Sequence, residues 1–332
     1  MSVGRSVLPP DHQSPHVSRP VGQRSDTCGR HPQGRCDVIA RTQRIGLGTV
    51  QWGLDYGVTN SNGRTPADEV GRILSRARER SIDTLDTAAL YGEAEAILGA
   101  HDLDGFNVIT KTPRFGHTPI TQQDAEALCS TLERSLERLR VESVSGLLVH
   151  HADNLISTGG EHLLDALSTL KAGGKVRRIG VSVYTAAQVD SILARFTPDL
   201  VQLPVNVFDQ RLITDGTLSR LARLGVEIHA RSAYLQGLLL TPASQTPDYF
   251  SPWRSKLDAW QKACADMGTP PQLAALAFVC DHPEVSRCLI GVQNLAQFES
   301  CLCGLDDVRS FDASAFASND PAFLDPSRWK LA

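Results

Sequence analysis

Four side chains that can hold or transfer protons stand at or just after short, largely apolar runs: Asp86, Tyr91, Lys111 and His150. Asp86 ends one run, and Tyr91 follows five residues later, just before a glycine and a helical pattern. Lys111 and His150 come at the ends of the next two runs. A carboxylate, a phenol, an ammonium and an imidazole in one site are suited to general acid–base chemistry. Each also has a plainer explanation alone, since aspartate often caps helices or forms turns and histidine can be a satisfied core residue.

The runs that carry these residues have the length and flanking residues of β-strands, and strand and helix patterns alternate from Arg44 onwards. The pattern predicts eight strands, at 45–50, 82–86, 107–112, 145–151, 177–183, 200–206, 226–232 and 288–292. Predicted helices lie between them, among them 66–80, with Thr65 as its expected N-cap, and 93–100, 121–139, 161–172 and 294–303. Eight strands with intervening helices and no break in composition predict a single α/β domain, a (β/α)8 TIM barrel. In such a barrel the strand ends bring Asp86, Lys111 and His150 to one face.

Residues 1–40 differ from the barrel region, 41–332. Five prolines punctuate a polar segment without aliphatic periodicity, and this composition predicts a disordered tail. No apolar stretch in it resembles a secretory signal, and a transit peptide or a start codon placed too early are the alternatives.

The composition narrows the class of protein. Of the 332 residues, 41% are hydrophobic and 21% are charged, as in a soluble globular protein. The net charge of −4 gives no reason to expect a nucleic acid or membrane partner, and no apolar run approaches a membrane span. The eight cysteines form no CxxC pair, which predicts neither a disulfide framework nor a metal site but reduced thiols in a cytoplasmic protein.

The order of Asp86, Tyr91, Lys111 and His150 on successive elements resembles the aldo-keto reductase family, whose members carry an Asp, Tyr, Lys, His tetrad in this order. The segment 46–57, GLGTVQWGLDYG, resembles the opening of a bacterial branch of that family. Further similar segments are IGVSV at 179–183, VQLPVNVFD at 201–209, SAYLQGLL at 232–239 and LDPSRW at 324–329. The resemblance therefore extends over about residues 44–329.

The resemblance implies an NAD(P)H-dependent oxidoreductase that reduces an aldehyde or ketone to an alcohol, with a sugar-derived carbonyl as one candidate substrate. Tyr91 would be the general acid, and Lys111 would lower its pKa. Asp86 would pair with Lys111, and His150 would donate a hydrogen bond to the substrate oxygen. His151 is expected to point away from the site, because neighbouring side chains alternate along a strand.

The resemblance also implies a set of cofactor contacts, with Gln202 and Ser182 at the nicotinamide carboxamide. The expected cofactor-binding residues are Gly48, Thr49, Ser182, Gln202, Arg231, Gly291 and Gln297. Several positions depart from the family pattern. Val183 replaces an asparagine that shares the carboxamide, and Arg231 stands where a tyrosine usually stacks on the nicotinamide.

The adenosine end departs as well, since Gly291 and Gln297 stand where many members have a lysine and an arginine for the 2′-phosphate. Backbone amides at the start of the helix from Asn294 could still hold an anion. NADP is the expected cofactor, and NAD stays open.

Two other functions stay open from the sequence. One is a noncatalytic barrel that binds a nicotinamide cofactor and acts as a regulatory or interaction protein. The other, less favoured, is a lyase that forms a Schiff base with Lys111. The sequence does not indicate the identity of the substrate, the physiological direction or the oligomeric state.

Overall fold

The computed structural model describes residues 39–60 and 62–331, so the expected tail at 1–40 lies almost entirely outside the described residues. Eight parallel strands form a closed barrel in chain order, which confirms the predicted (β/α)8 fold. Their bounds are β1 Ile45–Gly48, β2 Thr84–Asp86, β3 Asn107–Lys111, β4 Gly146–Val149, β5 Ile179–Ser182, β6 Leu200–Pro204, β7 Glu227–Arg231 and β8 Arg287–Gly291.

Helices surround the barrel and fill the connections. The α-helices are α1 Val50–Gly53, α2 Ala67–Glu79, α3 Ala94–Leu98, α4 Gln122–Leu139, α5 Ala152–Ile156, α6 Gly160–Ala172, α7 Ala186–Leu193, α8 Arg211–Thr214, α9 Thr217–Arg223, α10 Arg254–Asp266, α11 Pro271–Cys280, α12 Leu295–Leu302 and α13 Pro321–Leu324. Short 3-10 helices lie at Arg41–Arg44, Leu235–Leu240, Ala243–Gln245, Asp248–Trp253, Leu305–Asp307, Ser314–Phe316 and Pro326–Arg328. None of the helices between residues 39 and 331, position 61 aside, has the length and hydropathy needed to cross a membrane.

The packing follows from the hydrophobic pattern of each element. Strands β2, β4, β5 and β6 are buried along their whole length, as expected where helices cover the outside of a barrel and side chains fill its inside. In α2 the buried residues are Val70, Ile73, Leu74 and Ala77, which form one stripe at helical spacing. A separate aromatic cluster, with Phe208, Phe250, Trp260 and Phe323, packs the segments after β6 and β7 against the C-terminal segment.

The strand register aligns the carboxyl ends of the strands that carry the predicted site. Gly48 at the end of β1 pairs with Asp86 in β2 and with Gly291 in β8, which closes the barrel. Ser182 in β5 pairs with Gln202 in β6. Because all the strands are parallel, their last residues lie around one opening.

Several predicted bounds were wrong. The first strand ends at Gly48 instead of Val50, because the chain turns into α1 there and the Trp52 indole donates to the Val292 carbonyl at 3.2 Å. Thr65 is not the N-cap of α2. Pro66 holds that position with an extended backbone, ψ 145°, and Thr65 Oγ1 is buried without a hydrogen-bond partner in the described part of the chain.

Candidate active site

A cavity of about 520 Å³ opens at the carboxyl ends of the strands. All the predicted site residues except Lys111 line it: Gly48, Thr49, Asp86, Tyr91, His150, Ser182, Gln202, Arg231, Gly291 and Gln297. Its size is within the range of ligand-binding clefts.

Asp86 lies at the bottom of the cavity, and its two carboxylate oxygens have different partners. Lys111 Nζ donates to Oδ2 at 2.6 Å, and Gln202 Nε2 donates to Oδ1 at 2.7 Å. The Asp86 carbonyl accepts from the backbone N–H of Thr49 at 2.9 Å and from its hydroxyl at 3.1 Å. These contacts fix the end of β2 between β1 and the side chains from β3 and β6.

Lys111 lies beneath the cavity instead of in its wall, with its side chain 1% exposed. The ammonium also donates to the Thr87 carbonyl at 2.8 Å. Burial opposes its charge, but Asp86 and Tyr91 outweigh burial and raise the pKa of Lys111 above its ordinary value. A protonated, enclosed ammonium is not a nucleophile, so this geometry argues against a Schiff base at Lys111.

Tyr91 stands between this ion pair and His150. Lys111 Nζ is 4.9 Å from the centroid of the Tyr91 ring, and the His150 ring meets the Tyr91 ring edge-to-face with centroids 5.9 Å apart. Burial raises the pKa of Tyr91, while the Lys111 ammonium opposes this rise and Asp86 adds to it. Lys111 thus lowers the pKa of Tyr91, as expected, but burial raises it by more, so the net pKa of Tyr91 is above its ordinary value. The phenol keeps its proton at neutral pH.

His150 follows directly after β4. Burial, together with the positive charge of Lys111 and the neighbouring His151 and Arg231, lowers the pKa of His150 to about 3. The imidazole is therefore neutral at pH 7. Its Nδ1 is buried without a partner among residues 39–60 and 62–331.

His151 does not point away from the site as the strand pattern predicted. Its ring stacks on that of His150, with centroids 4.9 Å apart, and both line the cavity. The reason is that β4 ends at Val149, so His151 is the N-cap residue of α5 and the alternation of a strand no longer applies.

Gln202 and Ser182 form the wall beside Asp86. One amide hydrogen of Gln202 is taken by Asp86, and no described residue donates to its Oε1. The neighbouring Val183 is buried. An amide ligand in this part of the cavity would therefore find the Gln202 carbonyl and the Ser182 hydroxyl.

Arg231 is the last residue of β7, and its guanidinium lies over the ring of another side chain that lines the cavity. Its Cζ is 4.0 Å from the centroid of the Tyr184 ring. Nη2 donates to the Val183 carbonyl at 3.1 Å, and Nη1 donates to Ser232 Oγ at 3.4 Å. One face of the guanidinium is thus already stacked on Tyr184.

The opposite end of the cavity lies between β1, β8 and α12. A Cβ on Gly291 would lie 2.5 Å from Gln51 Oε1, so only glycine fits there without a shift of that side chain. Gln297 Oε1 accepts from the Gln293 backbone N–H at 2.8 Å. No lysine or arginine lines this end of the cavity within the described ranges.

Two of the amides in the first turn of α12 already have side-chain partners. Asn294 Oδ1 accepts from the Gln297 N–H at 2.8 Å, and the Glu69 carboxylate accepts from the Leu295 N–H at 2.8 Å. These amides were expected to hold an anion of the cofactor, but the Glu69 carboxylate already supplies a negative charge at this helix end.

Several residues of the cavity were not predicted from the sequence, among them Gln51, Tyr56, His151, Tyr184, Gln236, Gln272 and Gln293. Tyr56 lies within the segment 46–57 whose resemblance was noted, and Tyr184 follows a predicted strand end. Gln51 and Gln236 also lie in segments whose resemblance was noted, 46–57 and 232–239, and Gln293 follows the predicted strand 288–292. Gln272 comes from a helix whose approach to the cavity depends on tertiary packing, and no sequence pattern marks it.

The chain was compared with known families, proteins and structures. The model of the aldo/keto reductase family matches residues 44–315. Oxidoreductase YdhF of Escherichia coli is 32% identical over 210 residues, covering 58% of this chain and 67% of that protein. An uncharacterized oxidoreductase of Bacillus subtilis, YrpG, is 24% identical over 294 residues, covering 79% of this chain and 87% of that protein.

Two solved structures share the fold. The holo form of aldo-keto reductase AKR11C1 from Bacillus halodurans has a TM-score of 0.65 and 18% identity, covering 86% of this chain and 95% of that one. The glycerol dehydrogenase AKR11B4 from Gluconobacter oxydans has a TM-score of 0.62 and 23% identity, covering 85% and 92%.

Proposed function

Because this chain belongs to the aldo/keto reductase family, we propose that it reduces an aldehyde or ketone to an alcohol with a reduced nicotinamide dinucleotide. The observation that carries this proposal is the buried Asp86–Lys111 ion pair directly beneath Tyr91, with His150 at the edge of the same ring. This arrangement supplies a proton donor, a cation to stabilise the resulting phenolate and a neutral hydrogen-bond donor in one cavity.

The cofactor supplies the hydride when it is bound, since no side chain is a practical hydride donor. The residues of the cavity fit such a group. Gln202 Oε1 and the Ser182 hydroxyl would hold a carboxamide beside Asp86, and Arg231 would lie next to it. Gly48 and Gly291 have no side chains, so the backbone itself lines the cavity there. Thr49 and Gln297 would border the rest of the dinucleotide.

Tyr91 would give its proton to the carbonyl oxygen as that oxygen becomes negative. The Lys111 ammonium would stabilise the tyrosinate, and Asp86 keeps that ammonium charged and in place. His150 is neutral and has no partner on Nδ1, which favours the tautomer with the proton on Nε2. That N–H would donate to the substrate oxygen and oppose its developing charge.

The residues around Gly291 and the start of α12 bear on the form of the cofactor. NADP is the form that the resemblance implied, but Gly291 and Gln297 offer no cation to a 2′-phosphate, and the Leu295 N–H at the start of α12 is already bound to the Glu69 carboxylate. We therefore propose that NADH binds at least as tightly as NADPH. A small carbonyl compound is the proposed substrate, and a sugar-derived carbonyl is one candidate.

The experiment that tests this function begins with fluorescence titration of the protein with NADH and with NADPH. Oxidation of the bound cofactor is then followed across a panel of aldehydes and ketones. Binding of at least one cofactor, together with carbonyl-dependent oxidation, is the expected result. Binding without oxidation by any carbonyl, and without reduction of NAD or NADP by the matching alcohols, would contradict the reductase proposal and favour a cofactor-binding protein without catalysis.

A further inference from the structure

Arg231 is a charged group of the cavity that the proposed proton transfer does not use. Its two hydrogen bonds go to a backbone carbonyl and a hydroxyl, neither of which carries a charge. It pairs with no carboxylate among the residues that the structure describes. An arginine has five N–H donors, so these two bonds leave three for a ligand.

The charge of Arg231 is not balanced by the rest of the cavity wall. Asp86 is the acidic residue of the lining, and both of its carboxylate oxygens are committed, one to Lys111 and one to Gln202. The lining histidines, His150 and His151, both have pKa values lowered by burial and are neutral at pH 7. With Asp86 and Lys111 compensating each other, the site carries one net positive charge, at Arg231.

This charge is held in a fixed position. Stacking on Tyr184 restrains the guanidinium plane, and the bond to the Val183 carbonyl restrains its rotation. A preorganised guanidinium in a partly enclosed cavity loses little entropy when it binds a planar, bidentate acceptor such as a carboxylate or a phosphate.

The same charge lies within reach of the reacting groups. Arg231 is one of the groups that lower the pKa of His150, after burial, Lys111 and His151. On the other side, Tyr56 is near both Arg231 and Tyr91, and its hydroxyl accepts from Gln236 Nε2 at 3.0 Å. Tyr56 and Gln236 thus add neutral polar atoms to the wall that carries the guanidinium.

We propose that Arg231 binds an anionic group of the substrate, so that the preferred substrates are aldehydes or ketones that carry a carboxylate or a phosphate. The geometry points to this class because Arg231 and Tyr91 line one cavity, and a single small molecule can place its anionic group at the first and its carbonyl at the second. The inference rests on the proposed reductase function for its turnover test, while the anion site itself can be tested by binding.

The turnover test compares matched substrates that differ in charge. The pairs are 4-formylbenzoate with its methyl ester, succinic semialdehyde with methyl 4-oxobutanoate, and glyceraldehyde 3-phosphate with glyceraldehyde. The ratio of kcat/KM within a pair cancels effects on cofactor binding and proton transfer that both members share. For the wild type we expect the charged member of at least one pair to be favoured by about tenfold or more, the scale of a hydrogen bond to a charged group.

The matched variants are Arg231→Gln, which keeps a polar side chain without the charge, and Arg231→Lys, which keeps the charge without the planar fork. Arg231→Gln should bring the ratio close to one, and Arg231→Lys should retain part of the preference. A wild-type ratio near one in all pairs would overturn the proposal. So would a ratio that survives Arg231→Gln.

A binding measurement separates this inference from the reductase function. Calorimetric titration with 4-(hydroxymethyl)benzoate and with its methyl ester, in the absence of oxidised cofactor, involves no turnover. Tighter binding of the carboxylate, lost in Arg231→Gln, supports the anion site even if no carbonyl is reduced. Equal binding of the two compounds by the wild type overturns it.

Titration of Arg231→Gln with NADH and NADPH tests the rival assignment. Loss of cofactor affinity with an unchanged carboxylate preference would assign Arg231 to the cofactor phosphates.

Discussion

The protonation states of Tyr91 and His150 are determined mainly by burial, and less by the Asp86–Lys111 ion pair. Burial raises the pKa of Tyr91 and lowers the pKa of His150 to about 3, so each side chain is neutral over the physiological range. For a reductase this is the useful state of both groups, because the tyrosine must carry a proton to give and the histidine must donate without being an acid. The Lys111 ammonium then acts mainly on the tyrosinate that proton transfer would produce.

The shifted pKa of His150 predicts how stability depends on pH. His150 has a pKa of about 3 in the folded protein, and the pKa of a histidine in the unfolded chain is about 6.5. Between these values the unfolded chain therefore binds the proton more tightly than the folded protein does. The free energy of unfolding should therefore decrease as the pH falls from about 6.5 towards 4. We expect His150→Gln to make the decrease of the thermal midpoint over this range shallower.

The matched control is His151→Gln, which removes the neighbouring imidazole and leaves His150 in place. The NMR signals of His150 in the wild type should show no titration between pH 8 and pH 5. A His150 resonance that titrates near pH 6.5 would contradict the proposed neutral donor.

The four proposed catalytic residues could be picked out as candidates from the sequence because each lies at the end of a strand that an apolar run reveals, or soon after it. The positions of His151 and Glu69 could not. Whether His151 faces the cavity depends on β4 ending at Val149, two residues before the end of the predicted strand 145–151. Whether Glu69 reaches the Leu295 N–H depends on how α2 packs beside α12, which the sequence does not state.

Among the elements, α3 and α4 are joined by a buried carboxylate on the outside of the barrel. Glu95 is 1% exposed, accepts from Thr110 Oγ1 in β3 at 2.6 Å and receives two bonds from Arg138 in α4, at 2.9 and 2.6 Å. The arginine therefore compensates a charge that has no access to water.

Arg138→Met should destabilise the protein by about 3 kcal/mol, the lower end of the cost of leaving a buried charge unpaired, because Arg138 itself is a third exposed. Denaturant unfolding measures the change. Glu95→Gln is the matched partner and should cost less, since the freed arginine can reach water. A loss below about 1 kcal/mol in Arg138→Met, as for the removal of an exposed ion pair such as Lys262–Asp266, would show that Glu95 finds another partner.

The predictability of the elements varied with the strength of their local signals. The expected helix 121–139 agrees closely with α4, which begins after a capping box between Thr121 and Asp124. The long connection between β7 and β8 has a weaker periodicity and contains short 3-10 helices and the kinked segment at Leu235–Leu240, where Gln236 and Gly237 have positive φ. Such segments are determined by packing in the aromatic cluster, and the sequence pattern predicted bounds neither for them nor for α10 and α11 in the same connection.

At the scale of the whole molecule, the barrel opens at one end on the cavity, and Arg41 lies two residues after the start of the described part of the chain. The Arg41 guanidinium binds both carboxylate oxygens of Asp281, at 2.6 and 2.9 Å, and the carbonyls of Leu305 and Val308, at 3.1 and 2.6 Å. One side chain thus ties the start of the barrel to the end of α11 and to the segment after α12.

A protein that begins at residue 39 should keep the melting temperature and turnover of the full chain nearly unchanged, because it retains Arg41. Arg41→Ala in the full chain should lower the melting temperature by several degrees, since five side-chain hydrogen bonds are lost, one of them to Ser310 Oγ, and the Leu305 and Val308 carbonyls lose their donor. Differential scanning calorimetry compares the two. A loss of several degrees on deletion of residues 1–38 would contradict the expectation that those residues are a dispensable tail.

The barrel itself was predictable from the sequence because strand and helix patterns alternate without a break, and eight parallel strands close in chain order. The alternation of strand and helix patterns does not reveal the charge balance of the cavity. That balance depends on Asp86 being shared between Lys111 and Gln202, so that Arg231 has no carboxylate partner among the residues that the structure describes.

The central claim, that Tyr91 is the general acid of a carbonyl reductase, is tested most directly by single-turnover hydride transfer in the wild type and in Tyr91→Phe. Both proteins are saturated with the cofactor that binds, so a difference in cofactor affinity does not enter. Phenylalanine keeps the ring packed against His150 and above Lys111, and only the proton donor is lost. The account predicts a rate lower by at least about 10²–10⁴-fold, the usual contribution of a general acid, with nearly unchanged cofactor binding. Reduction at the wild-type rate by Tyr91→Phe would contradict it.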